Sequence, residues 1–150
     1  MSGTPFLTAL PLRASADIEP CRVIGLSGAW TAAKVTGNQI GAGAEPLGVS
    51  AEWTVQPPIP DYSIGTLHAR GAQADPVSYH GRGQKAHVVV GATAISAAGR
   101  VMAEAGGTGK VIPFVLGAAA TWSVGVVGDA SAPVGSKVEV FIDPVLHALT

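Results

Sequence analysis

Four histidines, His68, His80, His87 and His147, are the side chains best suited to metal ligation or to general-base work. No two of them stand at i and i+4, the spacing that places a zinc pair on one helix face. His80 and His87 flank a turn and can approach across a hairpin, but no Cys or carboxylate stands by as a third ligand. No metal is therefore expected. Asp61 and Asp75 are candidate paired carboxylates, yet each adjoins a proline, the usual setting of a turn residue. Nucleophilic catalysis needs a base within reach of the nucleophile and a third group to orient it. The chain has no Gly-x-Ser-x-Gly elbow. A small β-barrel hydrolase would have to gather at least two of Asp61, His68, Asp75 and His80 in one pocket.

Two glycine-rich stretches resemble cofactor loops and fail on context. Gly81-Arg82-Gly83-Gln84-Lys85-Ala86 matches GxGxxA, but the β-branched run Val88–Val90 follows where a dinucleotide site needs a helix. It reads as a hairpin turn. Gly106-Gly107-Thr108-Gly109-Lys110 has Glu104 where a phosphate loop begins with Gly, and Val111 where it ends with Ser or Thr. No helix follows to offer its N-terminus to a phosphate. No cofactor and no enzymatic activity are expected.

The same stretch belongs to a pattern that occurs twice. Arg22-Val23-Ile24, Gly28, Lys34-Val35 and Gly48-Val49 recur as Arg100-Val101-Met102, Gly106, Lys110-Val111 and Gly125-Val126. The offsets are 78 (Arg22 to Arg100), 78 (Gly28 to Gly106), 76 (Val35 to Val111) and 77 (Gly48 to Gly125). Each copy leads to a closing strand-like segment, Lys85–Val90 or Lys137–Ile142. A duplication dictates architecture, because each copy must bury its apolar face against the other. Gly48 to Lys85 is 37 residues and Gly125 to Lys137 is 12, so about 25 extra residues sit in the first copy. This insertion, about 56–75, is too rich in proline for a central strand. An insertion of this kind maps to a surface loop, often on a binding face.

Composition narrows the classes further. The charged fraction is 13%, against roughly 25% in globular proteins. A formal net charge of −1 leaves no basic footprint for nucleic acid or an anionic membrane. A surface so poor in charge tends to associate unless a partner covers it. The single cysteine, Cys21, excludes an intrachain disulfide and reads as a buried small apolar residue. The N-terminus lacks a basic region followed by an apolar one, so no signal peptide is expected. No apolar run reaches the roughly 18 residues of a membrane span. The longest, Val111–Val127, is broken by Pro113, Gly117 and Gly125.

These signals predict an all-β protein: a small β-barrel or sandwich with internal duplication, an extended N-terminal arm and one long loop insertion. Residues 1–20 form the arm, since Pro5, Pro11 and Pro20 disfavour helix. Phe6, Leu7, Leu10 and Leu12 give it apolar surface to dock on a neighbour. Residues 21–143 form the β-rich domain. Within it, Leu47–Val55 alternates with period two, placing Leu47, Val49, Ala51, Trp53 and Val55 on one face. Lys137–Ile142 alternates the same way, Val138, Val140 and Ile142 against Lys137, Glu139 and Phe141. Residues 144–150 are a tail in which Val145–Leu149 can form one helical turn after Pro144. Trp53 and Trp122 fall on equivalent strands and suit core packing. Trp30, Ile59, Tyr62 and Ile64 join the arm residues as candidate partner contacts.

Arg22–Val49, DPVSYHGRGQKAHVVVG (Asp75–Gly91), AISAAGRVMAEAGGTGKV (Ala94–Val111) and SVGVVGDASAPVGSKVEVFI (Ser123–Ile142) together resemble the small capsid decoration, or cement, proteins of tailed bacteriophages. The resemblance covers roughly Cys21–Asp143, and the insertion departs from it. It implies a structural virion protein made in the host cytoplasm and bound to the outer surface of an icosahedral capsid. The implied partners are the major capsid protein and further copies of the chain, as a homotrimer. Neither nucleic acid nor membrane is implied, and the family brings no catalytic residues. The alternative is a head-surface carbohydrate- or receptor-binding module using exposed aromatics such as Trp30 and Tyr62.

Overall fold

The computed structural model describes residues 13–15, 18–28, 31–34, 45–51, 79–116, 120–128 and 131–148. Within them the chain is all-β, with no helix. Ten strands follow in order: β1 (Arg13–Ala14), β2 (Val23–Gly28), β3 (Thr31–Lys34), β4 (Gly48–Ser50), β5 (Tyr79–Gly81), β6 (Lys85–Val89), β7 (Gly99–Ala103), β8 (Val111–Pro113), β9 (Thr121–Val127) and β10 (Lys137–His147).

Two five-stranded sheets result, ordered β1-β3-β2-β4-β5 and β6-β10-β9-β7-β8. Every pairing is antiparallel except β1 with β3. The second sheet curls into a half-barrel whose outer strands approach at one parallel bridge, Val90 with Val111. There the Gly91 amide donates to the Val111 carbonyl at 2.7 Å. Curling of this kind removes exposed strand edges, which are templates for unwanted pairing.

Alternation decides what fills the half-barrel. β10 shows it best: Val138, Val140 and Ile142 are buried, while Lys137, Glu139 and Phe141 face out. β6 repeats the pattern with Ala86 and Val88 inside. These side chains pack with Val101, Val111, Val124 and Val127 in the main core, which Val23 and Val49 of the first sheet complete. Burying each valine contributes about 1.5–3 kcal/mol. Ile24, next to Val23, points to the other face of the first sheet. It packs there with Ala14, Ile18 and Ala32, against Leu47 and Tyr79.

The junction between sheets is made by the start of β2. The Val89 amide of β6 donates to the Cys21 carbonyl at 3.1 Å, and the Val23 amide donates to the Gly109 carbonyl at 2.7 Å. On its other side the Ser50 amide of β4 donates to the Arg22 carbonyl at 2.8 Å. Cys21 is buried, and its positive φ of 61° turns the chain between the two sheets.

Two sets of four strands share an order of pairing. β2 lies between β3 and β4, and β4 pairs onward with β5; β7 lies between β8 and β9, and β9 pairs onward with β10. Gly48 and Gly125 occupy matching places. A Cβ on Gly48 would run into the His80 carbonyl of β5, and one on Gly125 into the Phe141 carbonyl of β10.

Some expectations differ from the structure. The tail does not form a helical turn: β10 continues through Pro144 to His147, with Val145, Leu146 and His147 opposite Ser123, Trp122 and Thr121 of β9. An extra residue between Ile142 and Val145 makes a bulge. A bulge is where a strand tolerates a proline without an amide to donate. Leu47 and Val49 do not share a face. Leu47 precedes β4 and packs on the smaller cluster, while Val49 enters the main core. Trp53, Val55, the arm from 1 to 12 and the insertion at 56–75 lie outside the described residues.

Candidate functional site

The predicted partner contacts Phe6, Leu7, Leu10, Leu12, Trp30, Ile59, Tyr62 and Ile64 all lie outside the described residues, as do Asp61, His68 and Asp75. His80 sits on β5 opposite Val49, in the first sheet. His87 sits on β6 opposite Glu139, in the second. Among the described residues no group of three His, Cys, Asp or Glu side chains is placed to hold a metal ion.

The structure instead brings together polar side chains that sequence reading did not connect. Ser123 of β9 and His147 at the end of β10 share a hydrogen bond, Oγ to Nε2, of 2.9 Å. Arg100 of β7 donates from Nη1 to the same Oγ at 3.0 Å. Its Nη2 meets the Asp143 carboxylate at 3.0 Å, and Arg82 meets the other carboxylate oxygen at 3.3 Å. The Phe114 ring lies against His147, with centroids 4.4 Å apart.

A serine, a histidine and an aspartate this close resemble a nucleophile, its base and an orienting acid. Their connections differ from that arrangement. Asp143 binds the two arginines and not the imidazole. Ser123 is 0% exposed. That oxygen already accepts from Arg100, and the Val145 carbonyl stands 3.5 Å away as a second acceptor for its proton.

The cluster serves the bulge. Arg100 Nη1 also donates to the Asp143 carbonyl at 3.2 Å, and Arg82 Nη2 to the Pro144 carbonyl at 3.0 Å. These are the carbonyls that a disrupted ladder leaves short of partners. One signal for this site was present in the sequence: Asp143-Pro144 interrupts an otherwise regular alternation, and proline inside a strand marks a bulge or an edge.

A second polar cluster pins the sheet junction. Arg22 Nη1 donates to the Thr108 carbonyl at 3.1 Å. Thr108 Oγ1 donates to Glu104 at 2.6 Å, and the Ala92 amide donates to the other Glu104 oxygen at 2.8 Å. Lys34 Nζ meets Glu19 at 2.8 Å. Burial pushes the Glu19 carboxyl up, but the Lys34 hydrogen bond and the charges of Lys34 and Arg22 outweigh it and hold the group below its ordinary range. For Glu104, burial is likewise outweighed, by the Thr108 and Ala92 hydrogen bonds and the charges of Lys110 and Arg22. Gly109 has φ +73°, and a Cβ there would stand 2.8 Å from that of Arg22. Gly106–Lys110 is thus a turn closed by its own threonine and a glutamate. A carboxylate in that place would repel a phosphate.

Apolar side chains stand out where the polar ones are satisfied. Val115 and Leu116, just after β8, are 57% and 44% exposed, and Leu146 near the end of β10 is 44% exposed. Trp122, opposite Leu146, is half-buried. The run Pro113–Ala120 carries no polar side chain at all. Phe141 and Val126 form another exposed pair across β9 and β10. Among the described residues no helix is long and apolar enough to cross a membrane.

No protein-family model matches the chain, and no curated protein matches its sequence significantly.

Proposed function

We propose that this protein is a structural component of a phage virion. It binds the outer surface of the icosahedral capsid and stabilises it by bridging neighbouring subunits of the major capsid protein. The observation that carries this reading is the uncharged run Pro113–Ala120, whose Val115 and Leu116 stand exposed on an all-β scaffold. Exposed apolar residues gathered at one place favour association with another protein. The resemblance of Cys21–Asp143 to capsid decoration proteins supplies the partner. The two polar clusters support a non-catalytic role, since their side chains bond one another and the backbone.

We infer also that the two halves repeat one unit. The matched order β3-β2-β4-β5 and β8-β7-β9-β10 supports this, with β5 rather than the expected Lys85–Val90 as the counterpart of β10, and so does the shared close approach at Gly48 and Gly125. In this reading the part of the arm before β1, with Phe6, Leu7, Leu10 and Leu12, reaches a neighbouring subunit. The insertion (56–75), with Ile59, Tyr62 and Ile64, is surface added to the first copy, and Trp30 is a further contact. Copies assemble as a homotrimer. Stabilisation follows from mass action: a ligand of the assembled shell alone adds RT ln(1 + [L]/Kd) per site. Bridging several subunits multiplies it through avidity.

The test is the copy number of this chain in gently purified virus particles, relative to the major capsid protein. A fixed ratio in the hundreds per particle is expected. Absence, or a handful of copies, would overturn the proposal and favour a receptor-binding role.

A further inference from the structure

We draw no further inference here: the strongest candidate, the exposed apolar pair Val115 and Leu116 just after β8, belongs to the surface already described, and nothing in the structure shows what covers it.

Discussion

Alanine at position 125 is expected to destabilise the fold severely for so small a change. Gly125 lies on β9 opposite Ile142, and a Cβ there would overlap the Phe141 carbonyl oxygen and stand 2.9 Å from its carbon and 3.0 Å from Val140 Cγ1. Carbon atoms pack best at about 3.5–4.0 Å, so β10 must retreat by on the order of an ångström. Overpacking of this kind costs about 1–3 kcal/mol. Each ladder hydrogen bond lost with it costs about 0.5–1.5 kcal/mol more. The expected loss is roughly 2–4 kcal/mol, from a total of about 5–15 for an ordinary domain. In a chain of this length that lowers Tm by roughly 5–15 °C. Gly48→Ala meets the His80 carbonyl in the same way and is expected to cost a similar amount. The sites lie on different sheets, so the double variant should add within about 0.5 kcal/mol. Gly128→Ala is the control, because nothing lies within 4 Å of its Cβ position. Thermal and urea unfolding of the four variants measure all of this. If Gly125→Ala melts within about 2 °C of Gly128→Ala, the close approach is not real and the matched-glycine argument for duplication goes with it.

Other outcomes follow from the polar clusters and the loop. Arg100→Met removes bonds to Ser123, to the Asp143 carboxylate and to the Asp143 carbonyl, and should cost about 2–3 kcal/mol in urea unfolding. Arg82→Ala, with a side chain 62% exposed, should cost about 0.5 kcal/mol or less, and the reverse ranking would refute the assigned roles. Glu19 and Glu104 have carboxyls lowered in the folded state, so their contribution is present above the unfolded value near pH 4.3 and fades as pH falls through the folded one. Stability of Glu104→Gln should therefore fall less steeply than the parent's between about pH 5 and pH 3, and an unchanged slope would contradict the assignment. Ser50 and Tyr79 are register partners, so replacing 52–78 with a short Gly-containing turn should leave a cooperative transition. Loss of that transition would show that the first sheet depends on the removed segment.

Much of the scaffold was legible because valine alternation and turn glycines are local signals. Lys137–Ile142 shows its inward and outward faces directly, and β10 obeys them. Cys21, set in an apolar stretch, is buried as its neighbours suggest. The errors have physical causes. Pro144 suggests a helix start when read alone, but the partners of Val145 and His147 on β9 decide the matter from over twenty residues away. Leu47 breaks the apparent alternation because the ladder begins one residue later. The Arg100–Asp143–Ser123–His147 cluster joins three strands. Only the pairing of β7 with β9 and of β9 with β10 brings those positions together.

That long-range dependence bears on where recognition resides. Under the proposed duplication, the connection after β3 corresponds to the one after β8. The second begins Phe114-Val115-Leu116. The core does not bury Val115 or Leu116, which are exposed. Exposed apolar groups favour association or aggregation. Under the proposed capsid binding, Val115 and Leu116 are contacts with the shell. Val115→Asp and Leu116→Asp should accordingly leave Tm within a few degrees of the parent while abolishing the chain's retention on virus particles. Retention of both variants at the parent ratio would place the contact elsewhere on the surface.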